Sequence, residues 1–187
     1  PKYLQEATIA IEDKRFETHH GVDWKGTLRA ITSTLTGSGT QGGSTITQQL
    51  IKNNIFEGGN EDTFGEKLER KIQEQYLALE ITKYYSKDEI LLRYMNAINL
   101  GQNTLGVESA SLRYFGKHCS DLTISECAVI ASITQNPSKY NPIRHPEENA
   151  KRRETCLNKM LELGFISQAQ YDEAMADTDA VYERIGL

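Results

Sequence analysis

The sequence has no run of about 18 consecutive apolar residues, so no segment of it can cross a bilayer as a helix. It has no charged, apolar and small-residue succession of the kind that marks a secretory leader. Cysteine is scarce: Cys119, Cys127 and Cys156 are three, an odd number with no C-x-x-C spacing, which excludes a disulfide framework and a zinc knuckle. Cys127 and Cys156 sit in apolar helical patterns and read as small core residues. Basic excess is also missing. The formal net charge of −5 excludes a general nucleic-acid binder, and no nucleic acid is expected as a partner. Proline is rare, and three of the four fall in one stretch, "NPSKYNPIRHP", which predicts an irregular wrap there. Strand signals are weak, and no internal repeat is evident.

What is present is helical periodicity over 187 residues, a mainly α chain long enough for one domain or two small lobes. Leu4, Ala7, Thr8 and Ile11 recur at helical spacing and lead into Glu12. "VDWKGTLRAITSTL" reads as a second helix, followed by the glycine-rich "TGSGTQGG". A third helix opens at Ser44-Thr45. A long helix is expected from Phe64 to about Tyr85, with Leu68, Ile72, Tyr76 and Leu79 as its buried stripe. Capping boxes at Ser86–Glu89, Thr123–Glu126 and Ser167–Gln170 start three more, and Gly116 ends the short helix in "VESASLRYFG". Pro146 suits a first helical turn, in a helix that Gly164 closes. The abrupt start and end read as a domain excised from a longer protein.

Two clusters carry chemistry. Glu12 is followed by Asp13, with Phe16 and His19 at one-turn intervals. A carboxylate beside an aromatic is a candidate base. His19 and His20 have no further ligand at metal spacing. In "GGSTITQQLIKN" the residues Thr45, Gln48, Gln49 and Lys52 share one helical face, a stripe of hydroxyl, amides and a cation suited to a polar, anionic ligand. Arg70, Lys71 and Glu74 form the second cluster. Its bland reading is a helix ion pair, yet with Lys52 it supplies three positive groups for phosphates. Two separated carboxylates plus a phosphate clamp suggest glycosyl transfer with a phosphorylated leaving group.

"IEDKRFETHHGVDWKG", "GGSTITQQLIKN", "RKIQE", "KDEILLRYMN" and "RRETCLNKM", in this order from Glu12 to Met160, resemble the five motifs of the peptidoglycan glycosyltransferases, glycosyltransferase family 51. That family comprises the catalytic domains of class A penicillin-binding proteins and the monofunctional wall transglycosylases. The resemblance implies a lysozyme-like helical domain with a globular head and a smaller membrane-facing jaw. It implies that lipid II and a lipid-linked glycan chain are joined into β-1,4 glycan, releasing undecaprenyl pyrophosphate. It places Glu12 and Glu74 as catalytic residues, with Asp13, Phe16, His19, Ser44, Thr45, Gln48, Gln49, Lys52, Asn53, Arg70 and Lys71 binding substrate. Lys87, Tyr94 and Asn96 match the fourth motif and Arg152, Arg153 and Met160 the fifth, both read as mainly structural support.

No cofactor is required by the sequence, and a divalent cation, Mg or Mn, near Glu74 is the one candidate. Further implications are moenomycin sensitivity and a site at the outer face of the cytoplasmic membrane. An N-terminal anchor helix and a C-terminal transpeptidase are expected in the parent protein. The chain departs from the family pattern at Leu92-Arg93, where an acid is common, at Cys156, where valine is common, and in the acidic loop "FEGGNEDTFG", which leaves phosphate binding to the helices. The segments 36–42 and 55–65 are expected to be mobile and to order over the donor. Two other readings compete: a lysozyme-like hydrolase or lytic transglycosylase, and a non-catalytic glycan- or lipid-binding module.

Overall fold

A computed structural model of the chain describes residues 1–37, 42–56 and 62–185. The mainly α expectation holds. Among the described residues there are ten α-helices, one 3-10 turn and no strand beyond an isolated bridge between Asn99 and Leu105. They are α1 (Lys2–Glu12), α2 (Trp24–Thr36), α3 (Ile46–Ile55), α4 (Phe64–Ile81), α5 (Lys87–Ala97), α6 (Val107–Phe115), α7 (Ile124–Ala131), α8 (Pro146–Glu162), α9 (Gln168–Ala176) and α10 (Thr178–Glu183). The segments expected to move contain residues 38–41 and 57–61, which lie outside the described residues.

The chain divides into two compact units. A split unit combines Pro1–Lys14 with Met95–Leu187, and a middle unit is Arg15–Tyr94. In the split unit α1, α7 and α8 pack on one another, and α9 and α10 close over them. Ala7 and Ala10 of α1 and Ala128 and Ala131 of α7 are buried in one core with Cys156, Leu157 and Met160 of α8. Small residues on two of the helices let backbones approach, and the larger α8 side chains fill the remaining space. Complete burial of a side chain such as Leu157 or Met160 contributes about 1.5–3 kcal/mol. The two cysteines read as core residues are indeed buried, and burial pushes both thiols up to about 12. All three cysteines are free.

The helix starts follow the sequence. Thr123 and Ser167 make capping boxes with Glu126 and Gln170, and Ser86 and Glu89 exchange the same pair of bonds at the head of α5. Gly116 takes the left-handed conformation, φ 65°, and ends α6.

The fourth helix departs from expectation in its end and in its buried face. α4 stops at Ile81 rather than Tyr85, because the backbone tightens: Lys83 and Tyr84 donate to carbonyls three residues back, at Glu80 and Ile81. Its buried face is also not Leu68, Ile72 and Tyr76, which are all exposed, Ile72 at 59%. The buried positions are Glu74 and Ala78. Two residues apart on a helix is about 200°, so Glu74 and Ile72 point to opposite sides. Ala78 joins Val22 and Ile51 in the middle unit's small core, flanked by Phe56, Leu77, Leu79 and Ile81.

Candidate active site

Glu12 is the last residue of α1. Asp13 leaves the helix at φ −157°, ψ 72°, while its N–H still reaches the Ile9 carbonyl at 2.9 Å. Ile11 and Asp13 are buried, so the backbone on either side of Glu12 is anchored. A carboxylate here lies at the negative end of the helix dipole and needs positive neighbours. Thr134 Oγ1 donates to Glu12 Oε1 at 2.6 Å, and Arg152 Nη2 donates to the same oxygen at 2.7 Å. The Glu12 side chain is 6% exposed. Arg152 is itself held: its Nε donates to the Ser132 carbonyl at 3.2 Å, and its guanidinium lies 5.0 Å from the Tyr140 ring centroid. Lys159, two turns further on the same face of α8, has its ammonium pushed below its ordinary range by burial and by the positive charges of Arg152 and Lys14.

In the middle unit the rest of the first motif is a braced turn. Phe16 is fully buried and meets His19 edge-on, with ring centroids 5.9 Å apart. Lys87 of α5 places its ammonium 4.6 Å over the Phe16 ring and 3.3 Å from His19 Nδ1. The Gly21 N–H also donates to His19 Nδ1, at 3.0 Å. Gly21 has φ 96°, and a Cβ there would stand 2.3 Å from the Ala78 carbonyl oxygen, so only glycine fits. Its carbonyl accepts from Thr45 Oγ1 at 2.6 Å, which ties the first motif to the second.

The proposed ligand stripe on α3 divides. Thr45 is the N-cap, and with Gln48 it forms a reciprocal capping box. Both are 1% exposed, and their hydrogen bonds close the helix start and reach the Gly21 carbonyl. They build the helix terminus. Gln49 accepts from the Tyr94 hydroxyl at 2.9 Å. Lys52 is half-buried and Asn53 exposed. The Lys52 ammonium has no hydrogen-bonding or ion-pair partner among the described residues.

α4 packs on α3 and carries the second cluster. Glu74 is 0% exposed, and both carboxylate oxygens are engaged: Arg70 Nη1 donates to Oε2 at 2.7 Å and Lys71 Nζ to Oε1 at 2.9 Å. Lys71 Nζ also donates to Ser44 Oγ at 2.5 Å. One buried carboxylate thus holds two cations side by side, an arrangement suited to an anion. It does not suit a resident divalent cation. Glu74 has given both oxygens to cations, and among the described residues no three His, Cys, Asp or Glu side chains gather as ligands.

The transglycosylase family model matches residues 1–161, which include both carboxylate clusters. The chain belongs to the transglycosylase family. With that membership comes the activity class, transglycosylation. Penicillin-binding protein 1A of Clostridium botulinum is 44% identical over 96% of the chain, and penicillin-binding protein 1F of Bacillus subtilis 43% over 95%. The chain spans 22% and 24% of the length of those two relatives. A solved structure, penicillin-binding protein 1A from Haemophilus influenzae, is 28% identical with a TM-score of 0.42, covering 70% of this chain and 15% of that one.

Sequence reasoning placed the fifth motif of this transglycosylase among structural supports, and for Arg153 the structure agrees. Arg153 is fully buried and donates to Ser125 Oγ, the Ala174 carbonyl and Thr178 Oγ1. Arg152 is different, because it reaches Glu12. Thr134, outside every motif, does so too. A faint signal existed. Arg153, Cys156 and Met160 form the buried stripe of α8, and Arg152 lies about 100° round from Arg153, at the stripe's edge.

Proposed function

We propose that this transglycosylase domain polymerises lipid II into β-1,4-linked glycan with inversion. Glu12 takes the proton of the acceptor sugar's 4-hydroxyl. The oxygen attacks the anomeric carbon of the lipid-linked chain, and the bond from that carbon to the phosphate oxygen breaks. Its electron pair leaves with undecaprenyl pyrophosphate. Arg70 and Lys71, held by Glu74, and Lys52 meet the negative charge of that leaving group, and Ser44, Gln49 and Asn53 line its approach. Asp13, Phe16, His19, Thr45 and Gln48 hold the motif backbones in place. The observation that carries this reading is the Arg70–Glu74–Lys71 cluster, in which a buried carboxylate holds two cations side by side. A glycan hydrolase, whose leaving group is a neutral sugar, has no use for it. Incubation of the domain with lipid II separates the readings: long glycan supports polymerisation, shortened glycan from preformed strands a hydrolase or lytic enzyme, and binding without product a non-catalytic module.

Lys52→Ala and Arg70→Ala are each expected to weaken binding of a moenomycin-type phosphoglycolipid. A charge-assisted bond contributes about 1.5–3 kcal/mol, roughly 10–150-fold in Kd. Titration calorimetry checks this, and wild-type affinity in both variants removes the phosphate clamp.

The same reading places the domain at the outer face of the cytoplasmic membrane. Trp24, Leu28, Ile31 and Leu35 make one exposed apolar stripe on α2, with Trp24 61% exposed. Phe64, Leu68, Ile72 and Tyr76 make another on α4. Two such stripes in one unit suit a lipid surface, with the indole at the headgroup level. Among the described residues no helix is long and apolar enough to cross a membrane, so attachment by these stripes is interfacial. The double variant Leu28→Asp/Ile31→Asp is expected to lose about 10²-fold in vesicle co-sedimentation, since each anchor contributes about 1.5 kcal/mol. Undiminished sedimentation would reject this face. An anchor helix and a transpeptidase domain complete the proposal for the parent protein, supported by the greater length of the relatives.

A further inference from the structure

We infer that Arg152, with Thr134, is a positioning residue for Glu12: the two side chains fix the orientation of its carboxylate for proton transfer. The inference rests on the reading of Glu12 as the general base.

A glutamate has three side-chain torsions. At a helix C-terminus it also faces the negative end of the dipole, which disfavours any fixed pose close to the helix. Here two donors from different elements fall on one atom, Oε1. Thr134 comes from the turn after α7 and Arg152 from α8. Two donors converging on one oxygen set the plane of the carboxylate and the direction of its other oxygen.

Arg152 can act as a brace because it is braced. Its Nε is bonded to the Ser132 carbonyl, and its guanidinium stacks on Tyr140. The Tyr140 carbonyl accepts from Asn149 Nδ2 at 2.9 Å. Asn149 is fully buried, and its Oδ1 accepts from the Tyr182 hydroxyl at 2.7 Å. The register of α8 is set independently by Arg153, whose Nη1 and Nη2 donate inside the core. Adjacent arginines thus hold separate tasks. Arg153 keeps α8 in place, and Arg152 carries that rigidity to the base. Arg152, 16% exposed at its side chain, lies outside the core cluster that α1, α7 and α8 share.

The test is steady-state polymerisation of lipid II by Arg152→Met, Arg152→Lys, Thr134→Val and Glu12→Gln, with thermal melting of each. Misplacing a reacting group by about 1 Å costs about 10²-fold, so Arg152→Met is expected to lose about that in kcat with KM nearly unchanged. Arg152→Lys, which keeps a donor and a charge, should recover roughly tenfold of the loss, and Thr134→Val should lose roughly tenfold. Thr134→Val added to Arg152→Met should cost less than it does alone, because both act on one carboxylate. A raised KM with kcat retained would mean that Arg152 binds substrate directly, and the inference falls. Normal kcat in a folded Arg152→Met alongside an inactive Glu12→Gln overturns the positioning role and leaves the base in place. Normal turnover by Glu12→Gln overturns the base, and the inference with it. If Arg152→Met does not fold, Arg152→Lys and Thr134→Val decide, and wild-type kcat in both rejects the inference.

Discussion

Glu12→Gln is expected to lower polymerisation of lipid II by about 10²–10⁴-fold, the usual contribution of a positioned acid–base group. The substitution is chosen for what it preserves. Glutamine has nearly the same shape, and its Oε1 still accepts from Thr134 and from Arg152, so the contacts at the end of α1 survive. What disappears is the charge and the ability to take a proton from the acceptor hydroxyl. Melting should stay close to that of the parent domain, because the core of α1, α7 and α8 lies on the other residues of these helices. A melting curve and a glycan-chain assay on the same preparation check both halves. Near-normal turnover by the folded variant would remove Glu12 from the mechanism.

Glu74→Ala should affect activity and stability together. Glu74 is fully buried, and its removal leaves the Arg70 guanidinium and the Lys71 ammonium facing one another with no carboxylate between them. Breaking a buried ion pair from one side costs about 3–5 kcal/mol, and the partial exposure of Lys71 argues for the low end. For a domain of this size about 3 kcal/mol corresponds to a fall in Tm on the order of 5–10 °C. Polymerisation should fall as well, since the two cations lose the group that sets their geometry. Glu74→Gln separates the effects. It restores the packing and one acceptor, so part of the stability returns, while the charge that holds the cation pair stays missing. Unchanged Tm and turnover in Glu74→Ala would dissociate Glu74 from the phosphate-binding reading.

The helical class, most helix starts and the ordered motifs of the transglycosylase family were determined by the sequence itself, because these depend on local chemistry. A Thr-x-x-Glu start is satisfied by backbone N–H groups three residues away, wherever the helix ends up. Motif order is likewise a property of the chain. Gln48 shows where local chemistry stops being unique. In "STITQQL" the amide pattern fits both a ligand-facing stripe and a capping box, and the Thr45–Gln48 bonds place it in the box.

Burial of one face over another was decided by tertiary structure alone. In α4 the apolar period through Leu68, Ile72 and Tyr76 marks an apolar face correctly, but periodicity carries no record of what covers it. The neighbours α3 and Val22 lie on the opposite side, so Glu74 and Ala78 are buried and the apolar stripe is exposed. The Glu12 site has the same origin. Arg152 is 140 positions along the chain from Glu12 and Thr134 is 122, and no local signal spans such separations. Only the packing of α1 against α7 and α8 brings a guanidinium and a hydroxyl to one carboxylate oxygen, because side chains from distant segments meet where the core fixes their backbones.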